Sequence, residues 1–140
     1  MTGARRYTAA MNDVAVLGTG LLGAGFAENL LAKGHPLVVL GHRNRAPVEH
    51  LVSLGATEAR NARQLAAACD IVHLCVTGSP QVEAQMRGSD GILASGKAGL
   101  IVIDCSTSNP VSTLALHAEA LAAGMHFVDA PLSRTPVEAE

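Results

Sequence analysis

An aliphatic run that ends in closely spaced glycines leaves a chain few ways to fold. Val14-Ala15-Val16-Leu17 is such a run, and it opens directly onto Gly18-Thr19-Gly20-Leu21-Leu22-Gly23. The pattern G-x-G-x-x-G is weak in a chain with 14 glycines, so its context carries the meaning. It follows a predicted strand. It precedes apolar residues at helical spacing (Leu22, Phe26, Ala27, Leu30, Leu31), with Gly34 as the stop. In such a junction Gly18 permits the tight turn, Gly20 lets the backbone approach an anion, and Gly23 lets the helix pack closely on the sheet. The helix start adds unpaired N–H groups and the positive end of the helix dipole. Residues 18–23, with Thr19, Leu21 and Leu22 between the glycines, are therefore read as a dinucleotide pyrophosphate cradle.

The same alternation continues downstream. Further short strands are predicted at Leu37–Leu40, Thr57–Ala59, Ile71–Val76, Leu100–Ile103 and His126–Val128. Between them, helices are expected over 47–54, 63–68 and 80–87, with a Gly-rich loop over 88–99. The last helix has Asn109 as cap and Pro110 at its first position, and its core-facing row is read as Val111, Leu114, Ala115, Ala118, Leu121 and Ala122. Strand–helix repetition with right-handed connections predicts an α/β fold, a doubly wound Rossmann-type, mostly parallel sheet of about six strands in a single domain. Ligands of such sheets bind at the carboxyl ends of the strands, which brings five segments forward: 18–23, 41–45, 76–80, 104–109 and 129–135.

Composition narrows the classes further. The 140 residues are 49% hydrophobic and 16% charged, which excludes a disordered chain. Ten Lys/Arg against twelve Asp/Glu give a net charge of −2 and no basic stripe, so no nucleic-acid partner is expected. The apolar runs are too short and too often broken to cross a membrane. The three cysteines, Cys69, Cys75 and Cys105, are unclustered in sequence and lie in apolar segments, which reads as reduced core thiols in a cytoplasmic protein. Residues 1–12 carry no apolar signal segment and are expected to form a flexible leader, with the dinucleotide-binding domain over 13–140. The six histidines show no metal-ligand spacing, so no metal is expected.

The end of the second strand discriminates between nicotinamide cofactors. An acid there would bind a ribose 2′-hydroxyl, whereas an arginine accommodates a 2′-phosphate. The chain reads Leu40-Gly41-His42-Arg43-Asn44-Arg45, with no acid before Glu49. This favours NADP over NAD, with Arg43 as the bidentate phosphate partner. Arg45 reads equally as a second phosphate contact or a solvated surface charge. The missing acid also disfavours a methyltransferase-like use of the fold.

Several segments together resemble one family: V-A-V-L-G-T-G-L-L-G, A-E-N-L-L-A-K-G-H, H-R-N, D-C-S-T-S-N-P and D-A-P-L-S, in that order from Val14 onward. They look like the β-hydroxyacid dehydrogenases, which include 3-hydroxyisobutyrate dehydrogenase and tartronate semialdehyde reductase and are related to 6-phosphogluconate dehydrogenase. The resemblance implies the cofactor loop at Gly18, Gly20 and Gly23, and a family Asn-Arg-Thr that becomes His42-Arg43-Asn44 with a one-residue insertion. It places Cys75, Val76 and Thr77 after the fourth strand on the cofactor, where the family's proline is missing. It implies that Thr107 lies near the nicotinamide ribose, and that Ser106 and Ser133 face the substrate. The family's Ser-Gly-Gly becomes Ser133-Arg134-Thr135, so Arg134 and Thr135 stand where two glycines would. Arg134 reads either as a clamp on a substrate carboxylate or sulfonate, as in reductases of small acidic aldehydes, or as a solvated charge beside Glu138.

A hydride acceptor needs a proton donor, and no residue of this chain is a convincing one. Lys33 and Lys97 fall away from the expected ligand edge, and His73 reads as a core histidine. In the family the catalytic lysine belongs to a second, all-helical domain, so no catalytic residue is assigned within this chain, which is read as a domain truncated at its C-terminal end. An apolar docking patch is expected, with homodimerisation as one use of it. The leading reading is thus an NADP(H)-binding domain of an oxidoreductase acting on a small hydroxy acid or acidic aldehyde. The alternative is a non-catalytic dinucleotide-binding or sensing module.

Overall fold

The structure, a computed structural model, describes residues 13–132. The expected leader and the Ser133-Arg134-Thr135 segment lie outside the described residues. Six strands form one sheet: β1 (Val14–Leu17), β2 (Leu37–Leu40), β3 (Thr57–Ala59), β4 (Ile71–Leu74), β5 (Ile101–Asp104) and β6 (His126–Asp129). Their order is β3-β2-β1-β4-β5-β6 and every pairing is parallel. The order reverses direction between β1 and β4, which opens a crevice above the carboxyl end of β1.

Side chains of a strand alternate between faces, and the two faces carry different helices. On one face Val16, Leu37 and Val39 pack with Ala27 of α1 (Leu21–Ala32) and with Val48 and Leu51 of α2 (Ala46–Ser53). On the other, Ala15, Leu17, Val72, Leu74 and Val102 pack with α3 (Ala62–Ala67), α4 (Ser79–Met86) and α5 (Pro110–Ala122) through Leu65, Val82, Met86, Leu116 and Ala120. Few aromatics are needed, because small residues let helices sit close to an aliphatic sheet. The helix ends follow local chemistry. The Asn109 side chain accepts from the Val111 N–H at 2.9 Å with Pro110 in the first turn, and Asn61 caps α3 by accepting from Gln64 N–H at 2.8 Å. Gly34, Gly55 and Gly124 take positive φ at the ends of α1, α2 and α5, the left-handed stop that a side chain would strain. A 3₁₀ turn at Leu93–Ser95 interrupts the Gly-rich loop.

Two expectations are corrected. β4 ends at Leu74, two residues before the predicted Val76. The Cys75 N–H still reaches the Leu17 carbonyl at 2.8 Å, but the Val76 N–H turns away to the Ser106 hydroxyl at 3.0 Å, so the ladder ends. The row of α5 that faces the sheet is also different. Leu116 and Ala120 are buried, whereas Val111, Leu114 and Leu121 are 76%, 71% and 62% exposed. The helix carries apolar residues around most of its circumference, so two rows fit the helical period and periodicity alone cannot choose between them. The choice is made by α4. Arg87, which follows it, forks onto Glu119 (2.6 and 2.9 Å) and Glu83 (2.7 Å), and Glu83 also accepts from Ser112 at 2.6 Å, which fixes the rotation of α5.

The two rows separate experimentally. Leu116→Ala removes a fully packed side chain and is expected to cost about 2–5 kcal/mol, while Leu114→Ala stays within about 0.5 kcal/mol. Urea unfolding of both variants measures this, and the reverse ranking contradicts the assigned helix face.

Candidate dinucleotide site

The carboxyl ends of β1, β2 and β4 surround a cleft of about 620 Å³. Its floor is the loop Gly18–Gly23, and its walls include His42, Asn44, Cys75, Val76 and Thr77, all anticipated from the sequence. The loop holds its shape because backbone occupies the space that side chains would need. Gly18 has φ of 98°, and a Cβ on it would collide with the Cys75 carbonyl. A Cβ on Gly23 would overlap the Gly18 carbonyl and stand 3.4 Å from the Cys75 Cβ. Gly20 differs. A Cβ there would meet nothing within 4 Å, because this residue faces the open cleft.

Gly20 is the N-cap of α1 and provides no side-chain cap. The first-turn N–H groups, unpaired within any helix, therefore point at the cleft with the positive helix end behind them. No acidic side chain stands in that first turn to compete for them. Thr19 is 8% exposed and lines the floor, while Leu21 is 83% exposed at the rim. A bare, cationic-ended backbone cradle excludes bulk and accepts phosphate oxygens, so the residues present fit the diphosphate of a dinucleotide.

At the end of β2 the structure adds what the local sequence hides. His42 and Asn44 line the cleft, whereas Arg43 between them is exposed and is not part of its lining, with no ion pair among the described residues. Arg45 grips Glu58 of β3 with two bonds of 2.6 and 2.8 Å and lies 3.7 Å from Glu49. The hydrogen bond from Arg45 holds the Glu58 carboxyl below its ordinary range. This pair sits directly over Gly41, where a Cβ would run into both side chains. An acid does therefore reach the end of β2, from β3, but an arginine already occupies it. Sequence proximity to β2 could not reveal it, because Glu58 arrives by strand register.

The remaining predicted residues are spread more widely. Thr107 is exposed, and its carbonyl lies 3.6 Å from the Cβ position of Gly78, beside the cleft rather than in its lining. Ser106 is 3% exposed, with its hydroxyl accepting from Val76 N–H and approaching the Leu74 carbonyl at 3.5 Å. Its backbone N–H donates to the buried Asp104 carboxylate at 2.9 Å. These bonds strap the loop after β5 to the loop after β4, a positioning role that its expected place at the substrate did not foresee. The cleft also takes in Gly41, from the expected 41–45 segment, and Leu17, Leu40, Pro47, Gln81 and Gln85, which sequence reading missed. The two glutamines are helix-surface residues of α4 that only its packing brings to the cleft.

Lys33 caps the far end of α1, and Lys97 pairs with Asp70 at 3.2 Å, at the opposite edge of the sheet. His73 packs on the Phe26 ring with centroids 4.5 Å apart, as a histidine held in the sheet does. The cysteines divide. Cys69 is buried, and burial pushes its thiol up to about 11, whereas Cys75 and Cys105 stand partly exposed at the carboxyl edge rather than in the core. No helix among the described residues is long and apolar enough to cross a membrane.

Gly23→Ala is the sharpest test of the cradle. The new methyl cannot coexist with the Gly18 carbonyl, so α1 must move, and dinucleotide affinity is expected to fall at least tenfold, about 1.4 kcal/mol. Gly34→Ala, at the far end of the helix with open space around its Cβ position, provides a strained control that leaves the cleft intact. Equal losses in the two variants, measured by nucleotide titration, would contradict the assignment.

Known proteins carry the same architecture. Residues 13–140 match the family model described as the NAD binding domain of 6-phosphogluconate dehydrogenase. The chain is 38% identical over 123 residues to the NAD-dependent L-serine dehydrogenase of Pseudomonas aeruginosa, covering 88% of this chain and 41% of that protein. It is 34% identical over 129 residues to the 3-sulfolactaldehyde reductase of Escherichia coli, covering 92% and 43%. The solved structure of Mycobacterium tuberculosis 3-hydroxyisobutyrate dehydrogenase with L-serine superposes with a TM-score of 0.81 at 27% identity, covering 91% of this chain and 42% of that one. The chain thus spans about two fifths of the length of the curated relatives it matches. With a glycine cradle at the crevice of a 3-2-1-4-5-6 sheet and a family match along its described length, this chain belongs to the NAD(P)-binding domain family of 6-phosphogluconate dehydrogenase, among relatives of the 3-hydroxyisobutyrate dehydrogenase type.

Proposed function

We propose that this chain is the NADP(H)-binding part of a cytoplasmic oxidoreductase that interconverts a small β-hydroxy acid and its semialdehyde. The observation that carries the reading is the bare cradle at Gly18–Gly23, with the exposed Arg43 between two cleft residues, His42 and Asn44, and the nearby carboxylate of Glu58 already neutralised. In this reading Gly18, Thr19, Gly20, Leu21, Leu22 and Gly23 hold the diphosphate. His42, Arg43 and Asn44 hold the adenosine ribose, with Arg43 on the 2′-phosphate. Arg45 cancels the charge of Glu58, which would otherwise repel that phosphate. Cys75, Val76 and Thr77 form the wall beside the loop, and Thr107 reaches toward the nicotinamide ribose.

A bound nicotinamide supplies or accepts the hydride. The chain's own part is to fix the cofactor through backbone N–H groups and to offer Ser133, Arg134 and Thr135 as donors to a substrate carboxylate or sulfonate. A guanidinium in that triplet suits a carboxylate or sulfonate better than the two glycines of the family pattern. Ser106 serves the same edge by holding the Val76 loop in place. Lys33 and Lys97 lie away from the cleft, so the proton donor of the whole protein comes from outside residues 13–132. The exposed row Val111, Leu114 and Leu121, with Val128 on the following strand and Leu132 just after it, suits burial against another surface, homodimerisation included.

Fluorescence titration tests the cofactor choice. NADPH is expected to bind roughly tenfold more tightly than NADH, and Arg43→Ala to abolish that preference while leaving NADH affinity within about twofold. Tighter NADH binding, or an unchanged ratio in the variant, would overturn the NADP reading.

A further inference from the structure

One residue of the cleft wall, Cys75, has a second thiol, Cys105, beside it on the neighbouring strand end. Cys75 and Cys105 each stand one residue beyond the last register pair of β4 and β5, Leu74 opposite Asp104. Adjacent strands are about 4.8 Å apart, within the Cα separation that a disulfide spans. The two thiols are close enough to shift each other's ionisation in opposite directions. The Nδ1 atom of His73 lies 4.0 Å from the Cys105 sulfur. Both cysteines are partly exposed, while the third, Cys69, is buried.

From this juxtaposition we propose that Cys105 and Cys75 form a peroxide-oxidisable dithiol whose closure to a disulfide alters the dinucleotide cradle. Cys105 is the attacking sulfur. The neighbouring Cys75, and then the adjacent His73, hold its thiol well below the ordinary range against the opposing effect of burial, and the thiolate is the nucleophile. Cys75 is pushed the other way, first by Cys105 and then by burial, which suits the resolving partner. The Cys105 thiolate attacks one oxygen of hydrogen peroxide, the O–O bond breaks, and hydroxide leaves to be protonated to water. Cys105 is then a sulfenic acid. The Cys75 sulfur attacks it, the S–O bond breaks, a second water leaves, and one disulfide has formed for one peroxide reduced.

The reach of this chemistry into the cradle is short. The Cys75 carbonyl fills the space beside Gly18, its Cβ stands 3.4 Å from the Cβ position of Gly23, and its N–H holds the end of β1 through Leu17. Pulling the Cys75 sulfur toward β5 displaces atoms against which the loop is packed, and close packing transmits that shift. Disulfides in reducing compartments are mostly transient and sensing, which is the behaviour such an exposed pair allows. The effect on nucleotide rests on the proposed function, whereas the oxidation does not.

Two readouts separate those parts. After stoichiometric hydrogen peroxide, peptide mass mapping of the chain is expected to show a Cys75–Cys105 disulfide with Cys69 free, lost in Cys105→Ser and replaced by a dimedone-trappable sulfenic acid in Cys75→Ser. NADPH affinity of the oxidised chain should fall at least fivefold and recover with dithiothreitol, and Cys105→Ser should keep the affinity of the reduced chain through peroxide treatment. Oxidation first at Cys69, linkage between chains instead of within one, or a disulfide that leaves NADPH affinity unchanged would each overturn the proposal. A reduced chain that binds no nucleotide, yet forms the internal disulfide, would sink the cofactor reading while the dithiol assignment stood.

Discussion

Three stretches of backbone meet at one point above β1, and the rest of the site depends on their having no side chains between them. The Gly18 carbonyl lies against Gly23, and the Cys75 carbonyl lies against Gly18. This contact ties the turn, the first helical turn of α1 and the end of β4 into one unit. It lets α1 come down close to the sheet, which brings its start to the crevice between β1 and β4. A helix start displaced by even one methyl would point its free N–H groups elsewhere, so the anion site and the packing of α1 are one constraint.

Electrostatics around the cradle follow from how neighbouring strands deliver charge. The backbone contributes a positive end with no acidic side chain in the first turn. The second strand contributes Arg43 and Arg45, and the third returns Glu58 to the same spot. Only the pairing of Arg45 with Glu58 decides which guanidinium remains for a ligand. The pair is partly exposed and adds little to stability by itself, yet it sets the local charge that a phosphorylated ribose would meet.

The carboxyl edge is braced from the other side by polar residues of the β5 loop. Asp104 is buried with its carboxylate satisfied by the Ser106 N–H and the Ser108 hydroxyl, and Ser106 passes the restraint on to Val76. A buried carboxylate is tolerated because such bonds replace its hydration. The consequence is a stiff wall facing the glycine loop. Cys75 lies in that wall with Cys105 beside it, and a change in their chemistry is felt by the adjoining backbone.

The order of strands and helices, their approximate ends, and the residues of the glycine loop were determined by the sequence alone. Those features depend on short-range physics: the period of apolar residues, the left-handed conformation of Gly18, Gly34 and Gly124, and the capping of α5 by Asn109. His42, Asn44, Cys75, Val76 and Thr77 were legible as cleft residues because parallel strands deliver their following loops to one edge. Tertiary structure decided everything that requires two distant segments to meet. The buried row of α5 was chosen by the Arg87–Glu119 fork, the partner of Arg45 by the register of β3, and the work of Ser106 by its reach to Val76. Gln81 and Gln85 joined the cleft, and Cys75 found Cys105, for the same reason. A linear pattern records which side of an element is apolar, but not which residue some 30 positions away will stand opposite it, because that distance is closed only by packing.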